Sequence, residues 1–281
     1  MVAIERDTQP KVSVIIPSCN SGKYIHFALT SIKNQTYKNI ELIVVDNFSQ
    51  DNTPEIANRF GVKVYKVGRE RAQQLNYGVK VSSGEYIFET GSDIVSEPTY
   101  IEEAVKKCKE GYDAIYSSVI SAVSRNFWAK VKAFERKMYI GDNQIEASNF
   151  FRRDVFDFLG GFDNRLISIE EDFQHRLDKA GFKTGRIKAR EIHLAECKTL
   201  TEVALKSFYY GRFIRNYLNK YKIKGALYLF PIRAAFIKNW KEYMKHPILT
   251  IGFILYKFTQ QIAGFLGFLF GSKEVHKKIY K

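Results

Sequence analysis

Gly84-Glu85-Tyr86-Ile87-Phe88-Glu89-Thr90-Gly91-Ser92-Asp93-Ile94-Val95-Ser96-Glu97-Pro98 reads as a turn, a short apolar run, a polar tip carrying Asp93, and a closing proline. Tyr86-Ile87-Phe88 supplies the β-branched and aromatic residues of a buried strand, and Gly84 before it is a turn residue. Such a strand delivers Asp93 to its carboxyl end, where open α/β sheets place their ligands. A carboxylate there can hold a hard divalent cation, which in turn neutralises a diphosphate. Taken alone, Asp93 reads better as a cap for the following turn or helix; the rest of the chain reverses that preference.

Upstream, strands and helices alternate. Val12-Ser13-Val14-Ile15-Ile16-Pro17 and Glu41-Leu42-Ile43-Val44-Val45 are buried strands, and Val62-Lys63-Val64-Tyr65 is a third. Helical periodicity runs from Tyr24 to Asn34, Pro54 opens a helix to about Phe60, and Arg69 to Val81 suits another. The first hundred residues therefore predict a doubly wound, mostly parallel α/β sheet. No Gly-x-Gly-x-x-Gly follows the first strand and no Gly-x-x-x-x-Gly-Lys is present, so dinucleotide dehydrogenases and P-loop ATPases lose their usual mark. Phosphates are then handled most simply by metal and cationic side chains.

The 281 residues suffice for one large core or two modest ones, and 45% hydrophobic with 26% charged residues is a folded composition. The net charge of +14 is uneven: Thr201 to Lys281 holds 15 Lys+Arg against 3 Asp+Glu, a net of +12. Basic charge beside long apolar stretches points to anionic lipid more than to nucleic acid, although phosphate attracts the same residues. Cys19, Cys108 and Cys197 show neither metal-ligand spacing nor a disulfide framework, which fits a reducing compartment. Met1 to Lys11 is polar and has no signal-peptide core.

Val12 to Asn20 (VSVIIPSCN), Ile40 to Asp51 (IELIVVDNFSQD) and Gly84 to Pro98 resemble three successive signatures of glycosyltransferase family 2, with its GT-A fold. A fourth follows as Gly160-Gly161-Phe162-Asp163, then Ile169-Glu170-Glu171-Asp172-Phe173-Gln174-His175-Arg176-Leu177. No single signature is specific; the ordered set is. The resemblance implies that Pro17, Ser18, Asn20 and Asp46 hold the nucleotide base of a UDP- or GDP-sugar, with Asp46-Asn47 otherwise a turn-forming pair. Arg71 and Asn76 become candidates for diphosphate and sugar contacts, or else a solvated helix face. Gln144 to Arg153 resembles the segment lining the donor-sugar and acceptor pocket, with Phe150 and Phe151 equally candidates for the core.

The metal strand departs from the family, which usually has Asp-x-Asp where this chain has Gly91-Ser92-Asp93. Asp93 remains the expected ligand for Mg²⁺ or Mn²⁺, with Ser92 at the nucleotide, because Mg²⁺ uses few protein ligands beside substrate phosphates. His193 falls where the family often has a histidine that completes the metal or diphosphate site; a lone histidine is otherwise structural. Glu170, Glu171 and Asp172 precede a helical run, where carboxylates also favour the positive end of the dipole. An inverting transfer needs a base for the acceptor proton. Aligning on Arg176-Leu177 puts Glu170 at the family's base, and aligning on the Glu-Asp pair puts Asp172 there. Tyr209-Tyr210-Gly211-Arg212 resembles an element of membrane-linked members, giving Arg212 and Arg215 as phosphate clamps or, equally, a basic amphipathic helix.

Leu227 to Met244 mixes aromatics with Arg233, Lys238 and Lys241, a pattern for a helix in the headgroup region. Pro247 to Phe270 is long enough to span a bilayer, but Lys257, Thr259, Gln260 and Gln261 interrupt it. It reads as two short helices, dipping in and returning or lying flat, with Gly264, Gly267 and Gly271 hinting at close packing. Packing of these helices on the catalytic part is the soluble alternative. The expected organisation is a GT-A domain over 1–200, basic interface helices over 201–246, and membrane-associated helices with a basic tail over 247–281. The expected activity is inverting, metal-dependent transfer of a sugar, mannose by preference, to a polyprenyl phosphate or lipid-linked glycan. Its place is the cytoplasmic face of the cell membrane, without nucleic acid. A nucleotidyltransferase and a non-catalytic sugar-nucleotide or lipid-binding relative are the rival readings.

Overall fold

A computed structural model describes residues 9–68, 70–142, 146–228 and 234–270. Expectations for Met1 to Thr8, Arg69, Gln144, Leu229 to Arg233, and Gly271 with the basic tail lie outside these residues. The chain begins β1 (Val12–Ser18), α1 (Ile25–Lys33), β2 (Ile40–Asp46), α2 (Thr53–Arg59), β3 (Lys63–Lys66), α3 (Arg71–Val81), β4 (Tyr86–Glu89) and β5 (Ile94–Ser96). It continues α4 (Tyr100–Lys109), β6 (Ala114–Ser121), α5 (Phe127–Tyr139), β7 (Ser148–Arg152), α6 (Arg153–Phe158), α7 (Ile169–Ala180) and β8 (Thr184–His193). Four helices follow: α8 (Leu200–Tyr228, broken at Lys222), α9 (Ala234–Lys238), α10 (Trp240–Lys245) and α11 (Pro247–Phe270).

One sheet of eight strands runs in the order β3-β2-β1-β4-β7-β6-β8-β5. β3, β2, β1 and β4 are mutually parallel, as the alternation of the first hundred residues predicts. Beyond β4 the sheet is mixed: β7 lies antiparallel between β4 and β6, and β5 antiparallel beside β8. All seven residues of β1 are buried because helices cover both faces. The period of two sorts them. Val12, Val14 and Ile16 join Val44, Phe88 and Phe150 against α1 and α4, whereas Ile15 joins Ile43, Val45, Ile87 and Phe151 against α3, α6 and α7. Phe150 and Phe151 are thus core on opposite faces, not pocket lining.

A third cluster joins Val131, Phe134 and Met138 of α5 to Val203 of α8, Phe236 of α9, and Phe253 and Tyr256 of α11. Here one sequence expectation is corrected: Pro247–Phe270 is a single continuous helix, not two short ones. Two of the four polar residues that argued for a break find partners without one, and Gln261 is exposed. Lys257 Nζ pairs with Glu135 Oε1 on α5 at 3.0 Å, and Thr259 Oγ1 bonds the Leu255 carbonyl at 2.9 Å. α11 also crosses α8 in backbone contact. A Cβ on Gly211 would stand 2.0 Å from the Gly264 carbonyl oxygen, and one on Gly267 2.1 Å from that of Phe208.

Glu135 is buried between Lys132, at 2.7 Å, and Lys257. Burial alone would raise its carboxyl, but the two ammonium groups hold it down at about 2. A folded value below the ordinary 4.5 means that this stabilisation is complete above that pH and is lost as pH falls toward 2. Amide exchange in α11 is expected to accelerate over that acid window, and Glu135→Gln to bring fast exchange already at neutral pH. Equal α11 protection in both proteins at pH 7 would contradict the role given to this cluster.

Candidate active site

The carboxyl ends of β1, β2 and β4 converge on one edge of the sheet, and their loops are tied together by side chains. Asp46, fully buried at the end of β2, accepts from Ser18 Oγ at 3.0 Å and from Ser49 Oγ at 2.5 Å through Oδ1, and from Ser49 N at 2.8 Å through Oδ2. Oδ2 accepts one bond, and because Asp46 has no exposed surface a ring N–H would reach it only where the β2 loop gives way. Asn20, in the left-handed region that asparagine tolerates (φ 47°), accepts from Gln50 N at 2.8 Å. Pro17 is buried in β1 beside Val45. Ser92 reaches Ser21 Oγ at 2.7 Å, joining the first loop to the Asp93 loop. The base-site residues expected from the sequence therefore meet at one place.

Asp93 and His193 also meet, because β5 pairs with the end of β8 and sets Ile94 opposite His193. Asp93 Oδ2 stands 3.5 Å from His193 Nε2, and Glu196 Oε1 stands 3.3 Å from the other ring nitrogen. Burial would raise the Glu196 carboxyl, but His193 and Arg136 hold it well below the usual range. A carboxylate stands behind the histidine, as it does behind metal-ligating imidazoles, although Nδ1 makes no hydrogen bond to it here. Among the described residues no group of three His, Cys, Asp or Glu side chains is gathered that would hold a metal. Asp93 and His193 are two side chains that could hold a hard divalent ion only if most of its ligands came from outside the chain. Gly91 matters here: a Cβ on it would lie 2.9 Å from Asp93 Oδ1, so an aspartate there would turn the Asp93 carboxylate out of its present position.

Arg71, at the start of α3, spans the floor of the site. Its guanidinium pairs with Glu89 Oε2 at 2.6 Å and, on the other side, with Glu170 in the first turn of α7. Glu89 is buried on β4, and burial raises its carboxyl despite the arginine beside it. Tyr210 of α8, 42% exposed, belongs to the Tyr209 to Arg212 stretch that carries the expected phosphate clamp. The edge thus offers an acceptor for a base, a two-ligand metal corner, a guanidinium and a carboxylate at its rim. This is a set that can bind a nucleoside diphosphate and remove a proton beside it.

The sequence profile of glycosyl transferase family 2 matches residues 13–164, more than half of the chain. The chain belongs to glycosyl transferase family 2. It is 41% identical over 99 residues to an uncharacterized glycosyltransferase of Rickettsia typhi, a match covering 34% of this chain and 31% of that protein. The match thus spans between 15% and 35% of the length of the curated relatives. Its fold is that of the mannosyltransferase PcManGT from Pyrobaculum calidifontis, solved with GDP-Man and Mn²⁺ (TM-score 0.57, 19% identity, 90% of this chain and 74% of that one). It is similar also to TarS 1-349 of S. aureus, solved with UDP-GlcNAc (TM-score 0.53, 18% identity, 73% and 67%). At such identities the likeness shows the GT-A fold.

Within this family 2 frame, the structure separates the remaining candidates. Asp172 is fully buried, 2.9 Å from Arg176 Nε, 2.5 Å from Lys220 Nζ and 2.5 Å from the Tyr221 hydroxyl that donates to it, which ties α7 to α8. Glu170 and Glu171 are partly exposed on the same turn. Asn76 spends its amide on the Gly-Gly-Phe-Asp turn: Nδ2 donates to the Phe162 carbonyl at 2.9 Å, and Oδ1 accepts from Phe162 N at 2.9 Å. It positions that turn. Arg212 is buried among the rings of Tyr209 and Phe213, and Arg215 lies over Phe268 and 3.5 Å from its carbonyl. Both arginines thus show contacts to α8 and α11 side chains or backbone. Sequence reasoning missed Glu89 and Glu196. The signals were present, a carboxylate closing an apolar strand beside Asp93 and a glutamate three residues after His193. It also missed Glu191, which burial pushes up to about 7 and which bonds Thr90 Oγ1 at 2.6 Å beneath the Asp93 loop.

Proposed function

We propose that this chain is an inverting glycosyltransferase. It moves a sugar, mannose by preference, from a nucleoside-diphosphate sugar to a lipid-linked acceptor, a polyprenyl phosphate or lipid-linked glycan, at the cytoplasmic face of the cell membrane. The observation that carries the chemistry is Glu170, a partly exposed carboxylate in the first turn of α7 held by Arg71, whose other partner is Glu89 of β4. With a lipid-linked glycan as acceptor, Glu170, with Glu171 beside it, takes the acceptor hydroxyl proton as the acceptor oxygen bonds the anomeric carbon; a polyprenyl phosphate attacks through its ionised phosphate oxygen and has no proton to give up. The bond from that carbon to the diphosphate breaks, and the nucleoside diphosphate leaves. Arg71 is the group the incoming diphosphate competes for, so donor binding draws the guanidinium off Glu170 and frees the base. Asp93 and His193 would hold Mg²⁺ or Mn²⁺, which supplies charge neutralisation at the leaving diphosphate. Asp46, Ser18, Asn20 and Pro17 form the base site, with Ser92 linking it to the metal corner. Mannose as donor sugar is supported by likeness to PcManGT, whereas the likeness to TarS keeps UDP-sugars in the assay.

The acceptor class rests on the far side of α8. α11 is, by length and composition, apolar enough to cross a membrane, and Lys257 on it turns inward to Glu135. Ile248, Ile251, Leu255, Phe258, Ile262 and Phe265 are all exposed at helical spacing, joined by Trp240 and Met244 of α10. One side of this helix is therefore bound along its length to α5 and α8, and the other is a hydrocarbon face. That geometry supports a helix lying in the interfacial plane rather than one crossing it. The basic excess after Thr201 complements anionic headgroups.

Two measurements test this reading. The protein is expected to float with vesicles containing anionic lipid, and Ile251→Asp with Phe258→Asp to stay at the bottom with its fold intact; flotation of the double variant would contradict the membrane face. Proton NMR of the transferred sugar is expected to show the anomer opposite to the donor's, and a retained anomer would contradict Glu170 as base for direct displacement.

A further inference from the structure

We propose that Phe48 is the stacking platform for the donor's nucleobase, with Asp46 reading the edge of the same base. Phe48 is a bulky L-residue in the left-handed region (φ 49°), and its side chain is 57% exposed. Phenylalanine is strained there, and a ring left in water gains little burial to offset the strain. The loop holds it nonetheless. Asp46 accepts from Ser49 N at 2.8 Å, Gln50 Nε2 donates to the Phe48 carbonyl at 2.9 Å, and Asn20 accepts from Gln50 N at 2.8 Å. None of these bonds uses the ring. The ring lies against Gly68, after β3, where a Cβ would stand 3.0 Å from Phe48 Cε2. An aromatic face is therefore held two residues from the Asp46 carboxylate, in a conformation that costs stability and serves no core. Together they match the two things a nucleobase presents: a π-face that any aromatic can stack on, and a ring N–H edge that needs an acceptor.

This inference rests on the β1 and β2 loops being the donor-nucleotide site. The test uses the full chain, calorimetric titration with UDP, GDP and inorganic pyrophosphate in Mn²⁺, and thermal melts. Phe48→Gly is expected to weaken binding of the preferred nucleotide roughly 5- to 100-fold. It is expected to leave pyrophosphate binding unchanged and to raise Tm by a few degrees, because glycine relieves the left-handed strain. Phe48→Tyr is expected to keep native affinity, and Phe48→Trp to show quenching by nucleotide but not by pyrophosphate. Native-like nucleotide affinity in Phe48→Gly, with the native protein and not Asp46→Asn binding tightly, overturns the platform while leaving the site. Failure of the native protein to bind either nucleotide overturns the site itself and the platform with it.

Discussion

Glu170→Gln is expected to lower turnover by roughly 10²- to 10⁴-fold, the usual contribution of a positioned general base. Nucleotide binding and melting temperature are expected to stay close to native. The amide keeps the size of the side chain at the rim, where Glu170 is partly exposed, but cannot take a proton. Asp172→Asn is expected to fail differently. Its carboxylate is fully buried between Arg176 and Lys220, and neutralising it takes the counter-charge from Arg176 and one of two from Lys220, which keeps Asp163 at 2.9 Å. Breaking such a pair costs about 3–5 kcal/mol, which for a chain of this length lowers Tm on the order of 10 °C. A kinetic defect with normal melting for Glu170, and a melting defect for Asp172, resolves the register of the acidic cluster. The reverse pattern would hand the base to Asp172.

Asp93→Ala is expected to cost on the order of 10²–10³ in transfer rate, the several kcal/mol of charge neutralisation lost with the metal corner. Removal of divalent metal by chelation is expected to reproduce that loss in the native protein and to add little in Asp93→Ala. Glu196→Gln, which alters a carboxylate shared by the far nitrogen of His193, Arg136 and Ser121, is expected to weaken metal affinity about 10- to 100-fold without abolishing it. Metal affinity read by Mn²⁺ titration, independent of turnover, separates these two. Full chelator sensitivity persisting in Asp93→Ala would place the ion elsewhere.

Much of this was legible in residue types. The parallel half of the sheet follows from the runs at Val12 and Glu41, because a strand covered on both faces needs a near-continuous apolar run, whereas β3, at the sheet edge with Lys63 and Lys66 exposed, shows only as the short stretch Val62-Lys63-Val64-Tyr65. Asp93 and His193 were expected together, and the β5–β8 pairing brings them within 3.5 Å. What was not legible depends on distant partners. The placement of β7 between β4 and β6 is set by contacts across the sheet, not by its own five residues. Lys257 read as a break in an apolar helix because its partner Glu135 lies 122 positions earlier. Asn76, a plausible sugar contact on helix position alone, turned out to hold the Phe162 turn, and Arg71 could not be seen to bridge Glu89 and Glu170 from any local pattern.

The most direct test of the central claim is nucleotide release in detergent with added membrane lipid extract, screening GDP-mannose, UDP-glucose and UDP-GlcNAc with Mg²⁺ or Mn²⁺. Release from one donor is expected to require both lipid and metal and to vanish in Glu170→Gln. Donor binding without release under every lipid and metal condition would contradict an active transferase and leave a sugar-nucleotide-binding protein.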